Sequence, residues 1–124
     1  MTRILVVDDE KAVAEMIKTQ LESEGFEVSL ALDGASAFQM ASKAAPDLMV
    51  LDILMPGMDG YQLYKKIRAD ERMKNIPILI MSVRGGMGEA FVSFGVESFL
   101  AKPFEPGELL LRIKTILKNN PPPS

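Results

Sequence analysis

Short apolar runs alternate with longer amphipathic stretches along the whole chain. The runs are Arg3–Val7, Phe26–Ala31, Asp47–Leu51, Pro77–Met81 and Ser98–Ala101. Runs this short and continuous suit strands covered on both faces, as in a parallel sheet. The second is weaker, with Glu27 and Ser29 alternating against Val28 and Leu30, and suits an edge strand. Between the runs, apolar residues recur at helical spacing. The stripes are Val13, Met16, Ile17 and Leu21; Ala37, Phe38 and Ala41; Leu63, Tyr64 and Ile67; Met87, Ala90, Phe91 and Phe94; and Leu109, Ile113, Ile116 and Leu117. Gly25 and Gly95 stand where a glycine closes a helix, Pro46 ends the second stretch, and Pro106 suits a first turn. Such stripes face a core. Strict alternation of strand and helix, five times over, predicts an α/β fold: a three-layer sandwich with a parallel sheet and right-handed crossovers.

Composition narrows the chemistry. The chain has 124 residues, enough for one domain with a real core, and 48% of them are hydrophobic. Its formal net charge is −3, which argues against a surface that grips nucleic acid by neutralising phosphates. Cysteine and histidine are both absent. That excludes disulfides, Cys/His zinc sites and nucleophile systems that need an imidazole. No apolar run approaches a membrane span. Asp8 and Asp9 fall where a signal peptide would still be apolar, so the start reads as carrying no export signal and the expected location is cytoplasmic.

In an open α/β sheet, ligands bind beyond the carboxyl ends of the strands. Asp8, Asp9 and Glu10 follow the first run, Asp33 and Gly34 the second, Asp52 the third, Ser82 the fourth, and Lys102 with Pro103 the fifth. A strand order of 2-1-3-4-5 would crowd Asp8, Asp9 and Asp52 together, flanked by Ser82 and Lys102. Each like pair at ~4 Å costs about 4 kcal/mol at an effective dielectric near 20, so such a cluster calls for protonation, dispersal or a hard cation. Mg²⁺ suits a few carboxylates, a loop carbonyl and phosphate oxygens. A carboxylate held there can accept a phosphoryl group. Singly, each residue has a plainer role: acids that charge a helix start, a turn aspartate, a serine cap, a solvated lysine. Their coincidence at successive strand ends shifts the balance toward a site.

Asp8-Asp9, Asp52, Ser82 and Lys102-Pro103, with Met55-Pro56-Gly57-Met58-Asp59-Gly60 after the central acid, resemble a response-regulator receiver domain of two-component signalling. The resemblance runs to about Lys118, giving a receiver domain over 1–118 and a Pro-rich tail, or the start of a linker, over 119–124. It implies a flavodoxin-like (βα)5 fold with sheet order 2-1-3-4-5. It implies that Asp52 is the phosphoacceptor, charged by a phosphohistidine on a sensor histidine kinase or a histidine phosphotransfer protein. Asp9 would ligate Mg²⁺ or Mn²⁺ directly, Asp8 through water, and Leu54 through its carbonyl. Ser82 and Lys102 would hold phosphoryl oxygens, with Pro103, Pro56 and Gly60 supporting the turns, and Phe99 would be the switch aromatic. The face made by the fourth helical stretch, the fifth strand and the fifth helical stretch would control an output domain or partner. A homodimer could form on phosphorylation, and the domain itself would be no enzyme, bind no nucleic acid and touch no membrane.

There are departures from the family pattern. The stretch from Ser82 to Lys102 is slightly short and carries Gly85, Gly86 and Gly88, each costing a helix roughly 1 kcal/mol against alanine. Val83 stands where an alanine is usual, and Phe99 replaces a commoner tyrosine. Two other readings remain open at this level. One is a receiver-like interaction module that phosphorylation does not regulate. The other is a small Asp-nucleophile phosphohydrolase, which would favour Asp-x-Asp where this chain has Asp8-Asp9-Glu10. No phosphate-loop motif for a nucleotide is present.

Overall fold

In the computed structural model, residues 1–52, 60–83, 98–102 and 104–119 are described, with residues 82, 83, 98, 101, 102 and 106 described by their backbone alone. The strands are β1 (Arg3–Val7), β2 (Glu27–Ala31), β3 (Leu48–Asp52), β4 (Ile78–Val83) and β5 (Ser98–Lys102). The helices among the described residues are α1 (Lys11–Ser23), α2 (Gly34–Lys43), α3 (Gly60–Ala69) and α4 (Pro106–Asn119). The fourth expected helical stretch, with Met87, Phe91 and Gly95, lies outside the described residues. So do residues 120–124 of the expected tail, whereas Asn119 still belongs to α4. No helix among the described residues is long and apolar enough to cross a membrane.

All four strand pairs are parallel and the order is β2-β1-β3-β4-β5, as expected for a flavodoxin-like fold. Strand alternation sends side chains to opposite faces and so builds two cores. Leu5, Val7, Met49, Leu51, Ile78 and Ile80 pack against Ala37, Ala41, Leu63, Tyr64 and Ile67 of α2 and α3. Ile4, Val6, Leu48, Val50, Leu79 and Met81 pack against Ile17 and Leu21 of α1 and Leu109, Ile113 and Ile116 of α4. The central strand β3 is buried along its whole length. Each large side chain so buried contributes about 1.5–3 kcal/mol.

Local chemistry ends and starts the helices. Gly25 has φ +92°, its N–H donates to the Glu22 carbonyl, and the Phe26 N–H reaches back to the Leu21 carbonyl. This is the paired closure of a glycine-terminated helix, and it turns the chain into β2. Asp33 caps α2 by accepting from the Ser36 N–H at 2.7 Å. At α4, Pro106 takes the first helical position and Glu108 Oε1 accepts from the Glu105 N–H at 3.1 Å.

Three expectations need correction. Met16 is 63% exposed, and Ala14 takes the core position beside Ile17 and Leu21. Phe38 and Leu117 are only partly buried, at the margins of their cores. Asp52, Ser82 and Lys102 are not beyond their strands but within them, because ladder hydrogen bonds are made by the backbone and are indifferent to a polar side chain. Met73 and Ile76, in the turn after α3, are buried although no periodic stripe marks them. Arg68 secures that turn, donating from Nη1 to the carbonyls of Lys74 and Ile76.

Candidate functional site

β1 and β3 are neighbours with Val7 opposite Leu51, so the residues that follow, Asp8 and Asp52, emerge side by side. The register is a consequence of two buried apolar strands whose side chains must all match one face or the other. Asp8 is wholly buried, Asp52 is 6% exposed, and Asp9 is exposed. Asp8 is tied down by its backbone and by its side chain. Its N–H continues the β1–β2 ladder by donating to the Ala31 carbonyl at 3.1 Å, and its Oδ1 accepts from the Glu10 N–H at 2.9 Å.

One carboxylate oxygen from each of Asp8, Asp9 and Asp52 lies within 4.8 Å of the other two. Oxygens sharing one Mg²⁺ at ~2.1 Å are separated by ~2.9 Å when adjacent and ~4.2 Å when opposite. The cluster therefore fits a hard divalent cation with little rearrangement, and the donor set is all oxygen. Each close like pair in the cluster costs several kcal/mol that an opposing charge must offset, and a bound cation supplies such a charge.

The backbone carries the rest of the expected set toward the same end of the sheet. Met81 is opposite Asp52, and Ser82 is the next residue of β4. Ser82 is opposite Ala101 and Val83 opposite Lys102, so Lys102 ends β5 two residues further along than the level of Asp52. Gly60 is buried at the start of α3. Phe99, opposite Ile80, is half-buried against the α2–α3 core, and its carbonyl accepts from Arg112 Nη1 at 3.2 Å. Leu54, Pro56 and Pro103 lie outside the described residues.

Asp33 is not drawn into the cluster. Its carboxylate is held by the Ser36 N–H and, at 3.2 Å, by the Ser36 hydroxyl. The Ser36 amide is the main reason its pKa is lowered from the ordinary value. Residue type alone passes over one contributor, the Glu10 amide that orients Asp8. A backbone donor leaves no mark in the residue alphabet.

Comparison with known proteins agrees with this arrangement. The family described as "Response regulator receiver domain" matches residues 4–114. The DNA-binding dual master transcriptional regulator RpaA of Synechocystis sp. is 34% identical over 95% of this chain and 50% of its own length. A crystal structure of a protein described as a response regulator from Chloroflexus aurantiacus is 41% identical, with a TM-score of 0.88 over 94% of this chain and 98% of that one. The Vibrio cholerae chemotaxis protein CheY4 is 32% identical, with a TM-score of 0.87 over 94% of this chain and 99% of that one. The chain spans from about a quarter to about half the length of the curated relatives it matches. Fold, strand-end acids and these likenesses coincide, and the chain belongs to the response-regulator receiver domain family of two-component signalling.

Proposed function

We propose that this receiver domain is a phosphorylation switch in which Asp52 accepts a phosphoryl group from a phosphohistidine of a sensor histidine kinase or histidine phosphotransfer protein. The observation that carries this reading is the trio of carboxylate oxygens of Asp8, Asp9 and Asp52 within 4.8 Å at the ends of two adjacent buried strands. Packing requires no such trio, and its repulsion is unfavourable unless an opposing charge offsets it.

In the step itself, an Asp52 carboxylate oxygen attacks phosphorus, the P–N bond of the donor breaks, and its electron pair leaves with the imidazole. The product is an acyl phosphate on Asp52. Asp8, Asp9, Asp52 and the Leu54 carbonyl would hold Mg²⁺ or Mn²⁺, which when bound neutralises charge on the phosphoryl oxygens. Asp8, held by the Glu10 amide, keeps its orientation through the reaction. The Lys102 ammonium pairs with a phosphoryl oxygen, and the Ser82 hydroxyl donates to another. Pro56, Gly60 and Pro103 shape the supporting turns. A new charge of about −2 then biases Phe99 and the face of β5 and α4, through which an output domain or partner protein is controlled, with homodimerisation as one form of that control. The domain acts on its own aspartate and turns over no outside substrate, and its place of action is the cytoplasm.

The test incubates wild type and Asp52→Asn with acetyl phosphate, with and without Mg²⁺, and reads intact mass. One phosphoryl group should be added to wild type only, and only with Mg²⁺. An unmodified wild type would leave an interaction module. Labelling that survives Asp52→Asn would overturn the site, and multiple turnover of a generic monoester would make the domain a phosphohydrolase.

A further inference from the structure

At the end of the sheet opposite the acids, a half-open cavity of about 260 Å³ lies between the last turn of α2 and the first residues of β1 and β2. It is separated from Asp8 by three to five residues of β1, about 10–17 Å at ~3.3 Å per residue. Its floor is apolar, with Leu5 and Pro46 buried and Met40 half-buried. The polar side chains that line it, among the described residues, are those of Arg3, Lys43 and Ser29. No acid lines it.

These rim groups have capacity to spare. Lys43 Nζ and the Ser29 hydroxyl make no hydrogen bond or ion pair among the described residues. Arg3 spends one guanidinium nitrogen, Nη2, on the Ala45 carbonyl at 2.7 Å and keeps the others. The C-terminal carbonyls of α2 would repel an anion, but Lys43 in the last turn and Arg3 on Ala45 place two positive charges over that end. Of the nearby acids, Asp47 is turned toward the Arg3 N–H at 2.8 Å, and Glu27, opposite Arg3 in the β1–β2 register, does not line the cavity.

We propose that this cavity binds a small monocarboxylate, its apolar body on Leu5, Met40 and Pro46 and its carboxylate between Arg3, Lys43 and Ser29. The volume corresponds to roughly nine waters at ~30 Å³ each, which admits an aromatic or short-chain acid. An apolar floor with a few convergent polar groups is the usual make-up of a small-molecule site. The site is independent of the phosphoacceptor reading.

The full chain is titrated with sodium benzoate and sodium hexanoate, and with benzamide and hexanamide as uncharged counterparts, while backbone amide resonances are followed by NMR. Expected are saturable shifts at Leu5, Ser29, Met40 and Lys43, in the millimolar range, with the acids and not with the amides. Lys43→Gln, at an exposed residue with no partner to lose among the described residues, should weaken binding about tenfold, as should Arg3→Gln. Asp52→Asn should bind as wild type does, which separates this site from the acidic one. Absence of saturation, equal binding of acid and amide, shifts centred elsewhere, or indifference to both substitutions would each overturn the proposal.

Discussion

Glu10 donates its backbone N–H to Asp8 Oδ1 at 2.9 Å, so the turn that launches α1 also fixes the buried acid of the cluster. Main-chain atoms thus help to fix the position and orientation of Asp8, and side-chain substitution nearby leaves them in place. What substitution can change is the charge.

Asp8→Asn keeps an acceptor oxygen for the Glu10 amide and removes one of three crowded negative charges. In a metal chelator this variant should be more stable than wild type by about 1–3 kcal/mol, raising Tm by several degrees. In excess Mg²⁺ the ranking should reverse, because only wild type gains the full stabilisation of ligand binding. Paired thermal melts in EDTA and in Mg²⁺ read both signs.

The α1 stripe offers a contrast between adjacent residues. Ile17 is 1% exposed and Met16 63% exposed. Ile17→Ala should cost about 2–5 kcal/mol in urea unfolding, and Met16→Ala less than ~0.5 kcal/mol. A large loss at Met16 would mean that the face it sits on is covered in solution.

Two glycines should respond with opposite signs. Gly25 has open space where a methyl group would sit but φ +92°, so Gly25→Ala meets strain and no clash, costing about 1–2 kcal/mol. Gly107 has the same open space, ordinary backbone, and a place in the first turn of α4. Gly107→Ala should stabilise by roughly 0.5–1 kcal/mol. Denaturant midpoints settle both.

Acid should erode two surface contacts. The Ser36 amide holds the Asp33 carboxyl below its ordinary pKa of 3.8, and the Arg72 guanidinium does so for Asp70. A depressed folded pKa gives stability that is present above 3.8 and lost as pH falls through the lower, folded value. Tm measured downward from neutral pH should therefore fall less steeply in Asp33→Asn and Asp70→Asn than in wild type. High salt should shrink the Asp70 difference more, since an exposed ion pair contributes to it.

Much of this architecture is legible in the residues because burial leaves a period. Strands β1, β3 and β4 are apolar on both faces and announce themselves, and β2 reads as an edge strand because its exposed face is polar. The acids are legible by their place, at the ends of strands that the fold brings together. Apolar runs end too early at Asp52, Ser82 and Lys102, where a polar side chain closes the run while the ladder continues. Ala14 is hidden for the opposite reason: a methyl group fills a tight helix–sheet contact without standing out among larger neighbours such as Met16. Met73 and Ile76 sit in a turn, where burial has no period to betray it.

β3 is clamped between β1 and β4 and buried end to end, with Asp52 as its last residue. A group mounted there is an anvil: when struck it stays put. Any signal that starts at Asp52 must therefore be carried by whatever closes in on it, and on the β4 side of the sheet the strand freest to answer is β5, an edge bonded to β4 alone.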